Sequence, residues 1–361
     1  MSNDAGQTPN VDGFARPPRL VDIAEHAGVS MKTVSRVLND EPYVKEPMRQ
    51  KVLAAVQELG YVGDAQARGL RLKRSGFIGV VIPDIRNGQF ALITRALEER
   101  LAPPSATLLL ADSDEEVDQE ERILRTFRQQ RVDGLIILPA GAPSLPETIS
   151  QVPTVIVDRT VPSVRNLADH VMADNRRAAE TLVSHMVEKH NLEQVCLVAG
   201  DLSVSNVRDR QSGYTRVMNK GGLTKHITNG HVTPNDAAAG AYGLFRTLKP
   251  PFGVLATNNR MFWGTIAAIA RLGLRIPDDV VVTTFDGIGE ATVTGLVPTQ
   301  AVVPVSTLAA RAMQLLTERM SAPGLKPRNV VVECDVEYGT TCGCVPYEMS
   351  PVMFSGYARR G

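Results

Sequence analysis

Residues 19–74 read RLVDIAEHAGVSMKTVSRVLNDEPYVKEPMRQKVLAAVQELGYVGDAQARGLRLKR. Leu20, Ile23, Ala24 and Ala27 recur at the three-and-four spacing of a helix with one apolar face. Gly28 follows, a residue type that ends helices because it tolerates a left-handed backbone. Ser30 opens a second segment, where a hydroxyl can cap the helix, and Val34, Val37 and Leu38 give that segment its own apolar stripe. Val52, Leu53, Val56 and Leu59 form a third stripe, which Gly60 ends. Two short helices around a tight turn, with a third behind them, spell a helix-turn-helix. The second helix of such a unit enters the major groove of DNA.

The second helix carries Met31, Lys32, Thr33, Ser35 and Arg36. Lys32 and Arg36 stand one turn apart and share a face. Arg36 can offer two donors to guanine O6 and N7, a contact that discriminates by about 1–3 kcal/mol. Thr33 and Ser35 can donate to phosphates, and Ser30 can cap the helix or take a phosphate. Helix–Gly–helix units also occur in other settings, and an ordinary charged surface helix is the alternative. Residues 66–75 (QARGLRLKRS) hold Arg68, Arg71, Lys73 and Arg74 and no acid. Taken alone, such a run is a solvated linker as readily as a nucleic-acid contact.

The chain has 361 residues, room for two or three domains, and 39 basic against 39 acidic residues. Total charge therefore announces no nucleic-acid partner; the local basic stretch does. The first residues (MSNDAGQTPN) are polar and lack the apolar segment of a signal peptide, and residues 1–18 read as a disordered tail. No apolar run reaches membrane-spanning length. A cytoplasmic protein with reduced thiols is expected. Of the four cysteines, Cys196 lies in an apolar run (VCLVAG) and reads as core. Cys342 and Cys344 are one residue apart, but no His is near them in sequence, so neither metal nor cofactor is expected. His170, His185, His190, His226 and His231 are scattered and read as surface residues. No Gly-x-Ser-x-Gly elbow, phosphate loop or paired His and Cys marks an enzyme.

From residue 76 the texture changes. Short Val/Ile/Leu runs at 77–83, 106–112, 134–139, 154–158, 195–200, 253–257 and 280–286 alternate with helical segments such as 88–101, 115–130, 174–189 and 260–272. Such runs are parallel strands covered on both faces. The expected architecture is multidomain: a small all-α unit, then a two-lobed α/β core of doubly wound parallel sheets. Ligands of open α/β sheets sit beyond the carboxyl ends of the strands. Asp84, Asn87, Asp158, Asn258 and Asp286 follow strands and are the first candidates.

The stretches VDIAEHAGVS, TVSRVLN, VLAAVQELGY and QARGL, in that order and spacing, resemble the DNA-binding headpiece and hinge of the LacI family of transcription regulators. VDGLIILP, VPTVIVDR, ADNRRAAETL, RDRQSGY, LGLRIPDDV and FDGI extend the resemblance to about residue 341, through a periplasmic-binding-protein-like core. It implies a headpiece at 19–63, a hinge helix at 64–75 and a core at 76–341. Within the core it implies one lobe at about 76–172 and 304–331 and another at 173–300 and 332–341. Residues 342–361 form a tail that departs from the family's ending and lacks the leucine heptads of a tetramerisation helix.

By position, the resemblance makes Met31, Lys32 and Arg36 base readers. It gives Ser30, Thr33, Ser35, Asn39, Tyr43 and Tyr61 mostly to the DNA backbone, sets Arg68 in the hinge, and makes Leu70 a minor-groove wedge. It lines an effector pocket with Phe90, Arg210, Asn258 and Asp286, with Asn87, Asp158 and Asn206 as additions. A carboxylate accepts from two vicinal hydroxyls, Asn side chains both donate and accept, and Phe90 and Trp263 could stack on an apolar sugar face. The bland readings are a turn cap for Asp286, a structural ion pair for Arg210, and core packing for Phe90 and Trp263. The partners implied are a near-palindromic double-stranded DNA operator, a second copy of the chain, and a sugar, sugar phosphate or nucleoside. Two alternatives stay open: a catabolite-control regulator signalled by a partner protein, and, remotely, a solute-binding transport component.

Overall fold

The structure, a computed structural model, describes residues 18–38, 41–61, 75–101, 106–141, 149–286, 296–322 and 324–345. The chain forms two compact units, residues 1–73 and 74–361. Asn39, Arg68, Leu70 and nearly all of the expected hinge helix lie outside the described residues.

In the first unit, α1 (Leu20–Ala27), α2 (Met31–Leu38) and α3 (Glu46–Glu58) bury Ile23, Ala24, Val34, Val37, Val52 and Ala55 against one another. Gly28 sits in the left-handed region at φ 65°, where a side chain would be strained. Its turn sends the Val29 N–H back to the Ala24 carbonyl at 3.0 Å. Ser30 caps α2: its Oγ accepts from the Thr33 N–H at 3.2 Å.

The second unit holds two six-stranded sheets. The first is built from β1 (Phe77–Ile82), β2 (Thr107–Asp112), β3 (Gly134–Ile137), β4 (Thr154–Val157), β5 (Asp169–Ala173) and β11 (Asn329–Val332), all parallel, in the order β11-β5-β4-β3-β1-β2. The second contains β6 (Val195–Gly200), β7 (His226–His231), β8 (Phe252–Ala256), β9 (Val280–Phe285), β10 (Thr299–Val302) and β12 (Asp335–Glu337), in the order β12-β10-β9-β8-β6-β7. Only β12 is antiparallel to its neighbour. Helices α4 (Gly88–Glu98), α5 (Val117–Gln129) and α10 (Val305–Ser321) serve the first sheet. Helices α6 (Asn175–Ser184), α7 (Ser205–Lys220), α8 (Pro234–Phe245) and α9 (Asn259–Leu272) serve the second. The chain passes between the sheets three times: after β5, after β10 and after β11. The expected pair of doubly wound α/β lobes is what forms, because the central strands are apolar on both faces and helices cover both sides.

Two expectations are corrected. His170 is not a surface residue: it lies inside β5, 1% exposed, its Nδ1 3.2 Å from the Ala168 carbonyl. The helix expected over 174–189 stops being α-helical at Ser184 and continues as one π-turn, His185–Lys189. Cys196 is buried as expected, and desolvation pushes its thiol up. No helix among the described residues is long and apolar enough to cross a membrane.

Candidate functional site

The headpiece presents α2 outward. Val34 and Val37 face its core, which leaves Met31 (57% exposed), Lys32 and Arg36 on the open side. Arg36 Nε lies 3.4 Å from Glu41 Oε2 in an exposed pair, an interaction of little energetic weight that a stronger acceptor can replace. Thr33 and Ser35 are half-buried beside them, and Ser30 Oγ is 2.9 Å from Thr33 Oγ1. Tyr43 stands free of the fold at 91% exposure, whereas Tyr61 leans on the headpiece core. The unit thus joins a packed three-helix base to a row of exposed side chains that includes the donors Lys32 and Arg36.

In the second unit, the candidate effector residues collect where the strands of both sheets end. Asp158 follows β4 and Asp286 follows β9, and both have positive φ, 69° and 65°. Such backbone is unfavourable for a non-glycine residue and clusters at functional sites. Arg210 projects from α7 and is 1% exposed. Its Nη1 and Nη2 donate to Asp286 Oδ2 and Oδ1 at 3.1 and 3.4 Å, its Nε donates to Asn175 Oδ1 at 2.7 Å, and its Nη1 also reaches the Thr257 carbonyl. The Phe285 ring lies beneath the guanidinium, 4.0 Å from its Cζ.

Four contacts bridge the two lobes here. Asn206 Nδ2 donates to Asp158 Oδ2 at 2.9 Å. The Thr160 N–H donates to Ser205 Oγ at 2.7 Å. Asn259 Nδ2 donates to Asn87 Oδ1 at 3.0 Å, and Arg260 pairs with the buried Asp84. Burial raises the Asp158 carboxyl above the usual range, against the pull of Arg159 and Arg210. Arg159 is itself held by Glu115 at 2.8 and 3.0 Å and by the Pro139 carbonyl at 2.7 Å, and its guanidinium lies 5.4 Å from the centre of the Phe90 ring.

The structure thus brings together Asp158, Asn206, Arg210 and Asp286, with Phe90 joined through Arg159, while Asn87 meets Asn259. Phe90 is 3% exposed and belongs to the hydrophobic core of its lobe. Asn258 caps α9, its Oδ1 accepting from the Met261 N–H at 3.0 Å. Trp263 is half-buried against the core under α9, its ring edge-on to Phe262 at 5.5 Å, one turn beyond Asn259 on the same face. Sequence reasoning missed Arg159, Asn175, Ser205, Asn259 and Arg260. Arg159 and Asn259 each adjoin a residue picked out by the strand-end rule, and Ser205 adjoins Asn206, which the resemblance gave.

Comparison with known proteins finds the same two kinds of domain in the same order. Residues 19–64 match the model of bacterial regulatory proteins of the lacI family, and residues 176–342 match the periplasmic binding protein-like domain. The chain is 31% identical to the ribose operon repressor of Halalkalibacterium halodurans, over 83% of this chain and 89% of that protein. It is 30% identical to catabolite control protein A of Priestia megaterium, over 84% and 92% of the two chains. A Lac repressor dimer bound to operator and the anti-inducer ONPF shares the fold with TM-score 0.80 at 23% identity, covering 91% of this chain and 99% of that one. These relatives are transcriptional regulators and not enzymes. The chain belongs to the LacI family and is a DNA-binding transcriptional repressor of that family.

Proposed function

We propose that two copies of this chain bind a near-palindromic operator, and that a small sugar-like or nucleoside-like effector in the interlobe cleft controls that binding. The observation that carries the reading is the buried polar set at the strand ends. Asp158 from one lobe and Asn206, Arg210 and Asp286 from the other are each nearly excluded from water. Buried charged and amide groups of this kind favour a ligand rich in hydroxyls, which can satisfy donors and acceptors together. Sugars, sugar phosphates and nucleosides fit that chemistry, and the ribose operon repressor among the relatives bears a sugar in its name.

At the DNA end, Met31, Lys32 and Arg36 read base edges, while Ser30, Thr33, Ser35, Tyr43 and Tyr61 hold phosphates. Asn39 and Arg68 add backbone contacts, and Leu70 wedges the minor groove. Effector binding changes the relative setting of the lobes, and with it the fit of two headpieces on one duplex. The coupling is reciprocal, so operator DNA shifts effector affinity by the same factor.

Selection of bound sequences from a random DNA pool tests the first half. A palindrome with half-sites about one helical turn apart, or a multiple of it, supports the reading; a pool that stays random refutes it. Calorimetric titration with sugars, sugar phosphates and nucleosides tests the second half. If none binds and a partner protein alters operator affinity instead, the catabolite-control alternative replaces the small-molecule effector.

A further inference from the structure

Apart from the strand-end residues, four side chains of metal-binding type converge. His185, His190, Cys342 and Cys344 place one ligating atom each within 4.8 Å of all the others. His185 Nε2 and His190 Nε2 are 3.1 Å apart, and Cys344 Sγ is 3.5 Å from each. Zinc bound at about 2.0–2.1 Å to imidazole nitrogen and about 2.3 Å to thiolate sulfur makes a tetrahedron with edges of roughly 3.3–3.8 Å. These three separations lie at or close to those edges. We propose that this cluster is a Cys2His2 site for a zinc-type divalent cation, which fastens residues 342–344 to the end of the helix that begins at Asn175.

Local backbone explains how the cluster arises. In an α-helix, residues five apart point to different faces. The π-turn His185–Lys189 adds a residue to the turn, so His185 and His190 come to one side, their ring centres 4.8 Å apart. The Tyr338 ring, 4.6 Å from His185, fixes one imidazole from the other side. Upstream of the cysteines, Thr340 and Thr341 are tied to the second sheet: the Val297 N–H donates to Thr340 Oγ1 at 2.9 Å, and Thr341 Oγ1 donates to the Val282 carbonyl at 2.7 Å. Gly343 then turns with φ 77°, and a Cβ there would meet Pro277 Cγ at 2.9 Å. The turn brings the buried Cys342 and the exposed Cys344 to the same point. The sequence reading dismissed this pair for want of a nearby His; the fold supplies two.

Two imidazoles and two thiols suit zinc better than magnesium or calcium, which take oxygen ligands. All four positions are filled by protein, as in sites that stabilise structure, not in sites that do chemistry. Each thiol gives up its proton to solvent on binding, so one cation displaces two protons, and no oxidant or reductant takes part.

The full chain, stripped with chelator under reducing conditions, is titrated with Zn2+ and, separately, with Co2+. One ion per chain is expected, with the visible absorption and sulfur-to-cobalt charge transfer of a tetrahedral thiolate site. Cys344→Ser and His190→Ala should each weaken zinc binding by more than about tenfold. Zinc should raise the melting temperature of the parent chain and leave that of Cys344→Ser unmoved. Cys344 is exposed, so that variant keeps its fold, and an operator-binding assay confirms it. Three results overturn the site: no uptake by the reduced chain, uptake undiminished in both variants, or a Cys342–Cys344 disulfide in protein handled under reductant.

Discussion

Arg210 and Asp286 meet as a two-pronged ion pair at the end of β9, the arginine 1% and the aspartate 8% exposed. Removing one partner strands the other without water. Asp286→Ala should therefore destabilise the protein by about 3–5 kcal/mol in denaturant unfolding. Replacing both residues with apolar side chains of similar volume should recover much of that loss. A single substitution costing under about 1 kcal/mol would mean the pair is solvated in solution.

The same pair lies beside the only direct bond between Asn206 and Asp158 that the described residues record. Asn206→Ala leaves a buried carboxylate short of a donor and removes one interlobe bridge. Effector affinity should fall about tenfold, a coupling of about 1.4 kcal/mol, while the effector-free full chain keeps its operator affinity. Calorimetry with effector and gel shift without it, both on the full chain, separate the two effects. Unchanged effector affinity would remove Asn206 from the pocket.

Arg36→Ala tests base reading. The exposed Arg36–Glu41 pair holds little folding energy, so stability should change by less than about 1 kcal/mol. Operator affinity should drop by about 1–3 kcal/mol, and one base position should relax. An equal drop on operator and random DNA would assign Arg36 to the phosphates instead.

Glu120 makes a pH prediction. Its side chain on α5 is buried, accepts from the Ala140 N–H at 2.7 Å, and is pushed up by desolvation to about 7 from an ordinary 4.5. The folded protein therefore holds this proton more tightly than the unfolded chain. The resulting stability is complete below about pH 4.5 and is lost as pH rises through about 7. Over that interval the parent chain should lose on the order of 3 kcal/mol relative to Glu120→Gln, whose amide keeps an acceptor and never ionises. Parallel stability–pH curves for the two proteins would show that Glu120 is solvated when charged.

Much of this molecule could be read before folding. The three headpiece helices show in their apolar spacing, and the central strands β1, β3, β4, β6, β8 and β9 show as continuous Val/Ile/Leu runs. Other elements escaped notice for physical reasons. β7 reads HITNGH and is half-exposed, so burial imposes no pattern on it. β5 begins with Asp169 and His170, polar residues made tolerable in the core by Arg319 and Arg328 bonded to Asp169 from far along the chain. α8 (PNDAAAGAYGLF) is built from small residues with little amphipathic contrast. At the strand ends the acidic and amide residues stood out, but their partners did not. What Arg159 does shows only in its bonds to Glu115, and what Asn175 does only in its bond to Arg210. The His185–His190 pairing was illegible because a π-turn breaks the period on which helix reading depends.

The triple passage of the chain between its two sheets has a consequence for biogenesis. β11 at the margin of the first sheet comes from residues 329–332, and α10, which packs into that lobe's core, from 305–321. A ribosome making this chain releases the three-helix unit long before the first lobe of the core can close. Neither half can be cut out as a continuous stretch of gene, so truncation from the carboxyl side should damage both halves at once. The nascent polypeptide thus carries its helix-turn-helix ahead of a core that is still incomplete.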